Sequence, residues 1–143
     1  MSRIQLALNV DDLDASIAFY TGLFGTAPAK TRPGYANFAV ADPPLKLVLF
    51  EGQTGGTLNH LGVEVATPEE VQAASTRLAG AGLATADEEN TNCCYAIQDK
   101  VWATDPDGLS WEHYVVLADS GVGEGEAASE GPACDPASAC CPA

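Results

Sequence analysis

Two cysteines stand side by side at Cys93-Cys94, just before a strand-like run, and a second adjacent pair, Cys140-Cys141, follows in the C-terminal segment. Neighbouring cysteines seldom close a disulfide with each other, because the ring is strained. Adjacent thiols instead suit a soft, thiophilic partner, and trivalent arsenic fits such a pair. The polar Asn90-Thr91-Asn92 ahead of them reads as loop and predicts at least partial exposure, which keeps the thiols reactive. The bland reading is two small buried hydrophobes at a loop-to-strand junction. A second chemistry is carried by Gln5, His60 and Glu112. One amide oxygen, one imidazole and one carboxylate make a three-donor set close to the two-histidine, one-carboxylate arrangement of non-haem iron sites, with positions open for oxygen and substrate. A closed structural site would use four donors. The mixed donors favour Fe(II), with Mn, Co, Ni or Zn able to use the same ligands.

The elements that must position these residues occur twice. Ile4, Leu6, Leu8 and Val10 alternate with polar or small residues, the pattern of a two-faced strand. A helix follows, with Asp11 or Asp12 to cap it, Leu13, Ile17, Tyr20 and Phe24 at helical spacing, and Gly25 to end it. Extended segments are predicted near Ala29–Arg32, Tyr35–Ala41 and Leu45–Glu51. The order then repeats: a strand over Leu58–Val65, a helix opened by the capping box Thr67-Pro68-Glu69-Glu70 and closed by Gly80 and Gly82, and extended segments near Leu83–Glu88, Tyr95–Thr104 and Leu109–Leu117. Asp105-Pro106-Asp107-Gly108 is the expected hairpin turn. The chain is thus expected to be α+β, with two βαβββ modules (about 1–53 and 57–117). These form one curved, mostly antiparallel sheet around a metal site, with the helices on its outer face.

Laying one module on the other equates Gln5 with His60 and Val48 with Glu112, so the fourth symmetric position is apolar. A lone strand histidine is more often a satisfied core residue than a ligand, and a strand glutamine is less specific still. The shared register is what singles these three out. His113 alternates away from Glu112 and reads as structural. Glu64, two residues beyond His60, reads as lying outside the ligand set, ~6.6 Å further by strand rise. Glu51 reads as a surface charge, and Asp99 and Lys100 as covering a sheet edge.

The 143 residues suit one compact domain over 1–117. From Ala118 the sequence turns rich in Gly, Ala, Ser, Pro and acids, the composition of a disordered tail over 118–143 that also carries Cys134. The formal charge is −14, of which five acids (Asp119, Glu124, Glu126, Glu130, Asp135) fall in the tail, leaving −9 on the core. Such a balance argues against nucleic acid as a partner. No apolar stretch approaches the ~18 residues of a membrane span, and the chain is expected in the cytoplasm. There its five cysteines are expected as free thiols. Cys134, Cys140 and Cys141 read either as an idle tail or as a hook for soft metal.

Four runs carry a specific resemblance: Arg3-Ile4-Gln5-Leu6-Ala7-Leu8-Asn9-Val10, Arg32-Pro33-Gly34-Tyr35-Ala36-Asn37-Phe38, Pro43-Pro44-Leu45-Lys46-Leu47-Val48-Leu49, and Cys93-Cys94-Tyr95-Ala96-Ile97-Gln98-Asp99-Lys100-Val101-Trp102. The layout resembles the vicinal-oxygen-chelate superfamily of glyoxalase, bleomycin-resistance and extradiol-dioxygenase proteins, and the four runs resemble its ArsI/CadI group of carbon–arsenic lyases and cadmium-induced proteins. The resemblance implies an Fe(II)- and O2-dependent lyase that demethylates trivalent organoarsenicals such as methylarsenite. Its metal ligands would be Gln5, His60 and Glu112 and its arsenic-binding thiols Cys93 and Cys94, and a homodimer is compatible with it. The competing readings are a cadmium- or arsenite-sequestering protein without turnover, a glyoxalase-like isomerase, against which apolar Val48 argues, and an antibiotic-binding protein, which would leave triad and thiols unexplained.

Overall fold

The computed structural model describes residues 2–119. The expected tail beyond Asp119, with Cys134, Cys140 and Cys141, lies outside the described residues. Ten elements follow one another: β1 (Arg3–Val10), α1 (Leu13–Phe24), β2 (Lys30–Arg32), β3 (Tyr35–Val40), β4 (Leu45–Glu51), β5 (Thr57–Glu64), α2 (Pro68–Gly80), β6 (Thr85–Cys93), β7 (Ala96–Thr104) and β8 (Ser110–Asp119). This is the doubled βαβββ order that the alternating patterns predict.

All eight strands join one sheet in the order β2-β3-β4-β1-β5-β8-β7-β6. Within each module the first and last strands pair in parallel, β1 with β4 and β5 with β8, and the remaining neighbours are antiparallel. The antiparallel β1–β5 pair is the seam between modules. It brings Gln5 opposite Gly62, and the parallel β5–β8 pair brings Gly62 opposite Glu112. One glycine therefore separates two of the three expected ligands.

The helices start where their caps dictate. Asp12 accepts the Ala15 N–H and Gly25 closes α1 in the left-handed region, while Thr67 and Glu70 complete the reciprocal box at α2. Each helix covers the outer face of its own module. Leu6, Leu8, Ile17, Tyr20 and Phe24 pack against a core of Val10, Phe38, Leu47 and Leu49; Val71 and Ala74 of α2 pack against Val101 and Val115. The inner face is left to Ala7, Tyr35, Val48, Phe50 and Cys93.

Two boundaries differ from expectation. Strand β8 runs to Asp119, pairing Ala118 with Ile97 and Asp119 with Ala96, two residues past the expected core limit. Strand β6 reaches Cys93, and only Cys94 and Tyr95 link it to β7. Both have positive φ, 53° and 63°, the signs of a type I′ hairpin. That turn normally takes Asn-Gly, so nothing in a Cys-Tyr dipeptide announces it. Asp105–Gly108 does form the expected turn, with Asp105 Oδ1 accepting from the backbone N–H of Asp107 and Leu109.

Candidate metal centre and thiol site

Gln5, His60 and Glu112 converge on the inner face at the module seam, each at most 4 % exposed. Gln5 Nε2 lies 2.7 Å from Glu112 Oε1 and 3.1 Å from His60 Nε2, and those two acceptors are 3.2 Å apart. Among the described residues no three His, Cys, Asp or Glu side chains gather, because the third donor here is an amide. Val48 stands opposite Ala7 as Glu112 stands opposite Gly62, and it lines the same cavity, so the fourth symmetric position is an apolar wall.

The surroundings fit a divalent cation. His60 Nδ1 lies 2.7 Å from Asn59 Oδ1; Asn59 Nδ2 donates to Asn9 Oδ1, Asn9 Nδ2 to Thr57 Oγ1, and Thr57 Oγ1 to the Thr54 carbonyl. A backbone carbonyl only accepts, so the whole chain has one direction. The neutral imidazole of His60 therefore carries its proton on Nδ1 and turns the Nε2 lone pair to the site, as a metal-binding imidazole does. Asn59 donates onward and belongs to this supporting set.

Glu112 has a second partner that the sequence reading misplaced. Lys100 does not cover a sheet edge: β7 lies inside the sheet, and Lys100 is 1 % exposed, with Nζ 3.0 Å from Glu112 Oε2. A buried ammonium is tolerated only when paired, and here the Glu112 carboxylate pairs with it. Burial is the largest single influence on the Glu112 carboxyl and pushes it up, but the charge and hydrogen bond of Lys100 together with the neighbouring His60 outweigh it and hold the group well below the usual carboxylate range. One carboxylate oxygen is thus tied to Lys100 and the other faces Gln5 and His60. Glu64 lies outside the set, paired with Arg3 at 2.8 Å and Lys46 at 3.1 Å. Tyr114 Oη reaches both Glu64 and Gln5. His113 faces away, its pKa lowered by burial and by Arg77.

Gly62 is the position that admits this packing. A Cβ there would sit 3.0 Å from Glu112 Cγ, 3.1 Å from the Glu112 carbonyl oxygen and 3.3 Å from Gln5 Nε2.

Cys93 ends β6 and is 1 % exposed, whereas Cys94 is half-buried on the turn. The expected exposure of both thiols therefore fails for Cys93, because β6 extends into what reads as loop and buries it beside Tyr35 and Phe50. Their sulfurs are 3.3 Å apart, beyond the ~2.05 Å of an S–S bond. In this structure Cys93 is disulfide-bonded, at odds with the expectation that all five cysteines are free. The turn is clamped onto module 1: Lys30 Nζ donates to the Tyr95 carbonyl at 3.1 Å, and the Tyr95 ring packs on Tyr35 and under Arg32. Gln98 Nε2 donates to the Cys93 carbonyl at 3.0 Å, while its buried Oε1 has no hydrogen-bond partner among the described residues.

Triad and turn share one cavity of about 60 Å³, lined by Gln5, His60, Glu112, Cys94, Gln98 and Val48 among others. It has room for a few waters or one small ligand.

A sheet of two βαβββ modules with polar donors at its seam defines a class, and residues 3–113 match the model of the glyoxalase/bleomycin resistance protein/dioxygenase superfamily. The same fold is seen in the Mn(II)-bound glyoxalase from Novosphingobium aromaticivorans, at a TM-score of 0.61 and 21 % identity, covering 82 % of this chain and 41 % of that one. Nearer relatives are the cadmium-induced protein CadI of Mycobacterium bovis, 65 % identical over 121 residues (84 % of this chain, 80 % of that protein), and a trivalent organoarsenical cleaving enzyme of Thermomonospora curvata, 62 % identical over 122 residues (84 % and 81 %). The chain belongs to this superfamily and, within it, to the group that these cadmium-induced proteins and organoarsenical cleaving enzymes form.

Proposed function

We propose that the chain is a non-haem Fe(II)- and O2-dependent lyase that breaks the carbon–arsenic bond of trivalent organoarsenicals, methylarsenite foremost. The observation that carries this reading is the single cavity shared by Cys94 and the Gln5, His60 and Glu112 donors, since binding and chemistry then address one small molecule. Fe(II), when bound by these three, would supply the activation of dioxygen that an As–C bond requires.

The chain's own residues do the rest. With Cys93 reduced, each thiol replaces one hydroxyl of the arsenical, and water leaves as the S–As bond forms. At the ~2.3 Å that thiolate sulfur keeps from a soft ion, the 3.3 Å span corresponds to an S–As–S angle of about 90°. That angle suits a pyramidal centre with a lone pair better than a tetrahedral ion. The strained turn fixes the direction of Cys94, so that the substrate is held rather than searched for. Lys100 balances Glu112, and Val48, Phe50 and Ala96 give the substrate methyl group an apolar wall. The cavity volume favours a methyl over an aryl substituent.

The test is anaerobic loading of reduced protein with Fe(II), addition of oxygen and methylarsenite, and separation of the arsenic species for wild type, Cys94→Ser and Glu112→Ala. Arsenite formed by the iron-loaded wild type alone supports the lyase. Intact methylarsenite with all three proteins, and binding lost only in Cys94→Ser, replaces it with thiol-based sequestration.

A further inference from the structure

Tyr114 Oη carries one hydrogen, yet two acceptors compete for it: Gln5 Oε1, and Glu64 Oε2 at 3.0 Å. Glu64 is an acceptor alone, since Arg3 and Lys46 pair it as a carboxylate. At the other end of Gln5, Nε2 donates one hydrogen towards Glu112 Oε1 and one towards His60 Nε2, which in the neutral imidazole is the lone-pair nitrogen because the Asn59 chain takes the Nδ1 proton. In this orientation the amide nitrogen lies between two acceptors, where a cation would sit, and one of the two close oxygen contacts of Tyr114 has no hydrogen between its atoms, even though Lys46 supplies Glu64 Oε2 from its other side at 3.1 Å. All these groups are buried or half-buried, so little water screens that oxygen–oxygen contact.

Turning the amide over about its last side-chain bond closes the count around Tyr114. Gln5 Nε2 then donates to Tyr114 Oη, and Tyr114 donates to Glu64. Gln5 Oε1 comes round to join Glu112 Oε1 and His60 Nε2, and three lone-pair donors face one point. Without a positive charge there, that arrangement is repulsive; with one, it is a ligand set.

We propose that Tyr114 and Glu64 are positioning residues that hold Gln5 as an oxygen donor to a divalent cation, the amide turning over as the cation binds. Tyr114 serves because its hydroxyl can donate in one state and accept in the other. Glu64 sets the direction, because a carboxylate draws the tyrosine hydrogen away from Gln5. The proposal rests on the reading of Gln5, His60 and Glu112 as a metal site, and it assigns the amide a moving part in loading that site.

The test is a double-mutant cycle on Mn(II) affinity, read from the electron paramagnetic resonance signal of unbound ion in full-length protein. Mn(II) is chosen because thiols bind it poorly. Tyr114→Phe is measured in the wild-type background and in Gln5→Glu, whose carboxylate presents an oxygen whichever way it turns. Tyr114→Phe should weaken binding about tenfold to a hundredfold in the first background, as for other outer partners of ligands, and by less than about threefold in the second. Equal losses in both backgrounds, or none in the first, would overturn the proposal and mark Tyr114 as a packing residue. Wild-type protein that shows no Mn(II) binding sensitive to His60→Ala would remove the metal centre itself, a separate result.

Discussion

Lys100→Met is the substitution whose effect follows most directly from the geometry. It replaces a 1 % exposed ammonium by an apolar side chain of similar length and leaves Glu112, 3 % exposed, as a carboxylate without its counter-charge. Breaking a buried ion pair on one side usually costs ~3–5 kcal/mol. Glu112 keeps the 2.7 Å hydrogen bond from Gln5, so the lower end applies, about 3 kcal/mol, or a melting temperature lowered by about 10 °C. The effect on metal runs the other way. Lys100 holds the far oxygen of the carboxylate, and a unit positive charge opposes a divalent cation by ~5 kcal/mol across ~6 Å at an effective dielectric of 20, so its removal should tighten Mn(II) binding at least about tenfold. Thermal melts with and without Mn(II) read both effects: the variant melts well below wild type alone, and saturating Mn(II) narrows the gap. Acid narrows it too, because the depressed Glu112 pKa of wild type contributes stability above the unfolded carboxyl range and loses it as pH falls. A loss under about 1 kcal/mol at neutral pH, or unchanged Mn(II) affinity, would refute the reading of Lys100 as counter-charge to a ligand.

Three further outcomes follow from the same site. Gly62→Ala places a methyl 3.0–3.1 Å from Glu112 atoms that Lys100 and the β5–β8 pairing hold in place, so it should destabilise by ~1–3 kcal/mol as overpacking does, and chemical denaturation measures it. Asn59→Ala removes the acceptor that fixes the His60 proton on Nδ1; Mn(II) affinity should fall about tenfold or more, and nitrogen chemical shifts of the ring should show both tautomers. Glu64 is pushed up by burial but drawn lower overall by Lys46 and Arg3, so its pairing stabilises the fold above the unfolded carboxyl pKa and stops doing so as pH falls through the depressed value. The stability gap to Glu64→Gln should therefore shrink between neutral pH and pH ~3, and a gap that widens in acid contradicts the assignment.

The legible part of this molecule was its periodicity. Strands that alternate and helices with complete caps state their own limits, and because the order occurs twice, one half could be laid on the other to find Gln5, His60 and Glu112 at matching strand positions. What escaped were features that depend on partners far along the chain. Lys100 looks like a surface charge until Glu112, twelve residues on, is known to face it from the next strand. Asn59, Asn9 and Thr57 are ordinary polar residues until β1 and β5 bring them into line. Cys94 and Tyr95 carry no turn signal, so their left-handed conformation, which costs ~1–3 kcal/mol for such residues, is imposed by the clamp from Lys30, Tyr35 and Gln98.

Val48 has a consequence for design. It occupies in the first module the place that Glu112 occupies in the second, it is 3 % exposed, and its side chain already faces the shared cavity. A single carboxylate-for-isopropyl exchange at that position would add a fourth donor to the ring and remove the apolar wall at once. In this scaffold one residue separates the proposed three-donor set from a four-donor one that has a position fewer for a reactant.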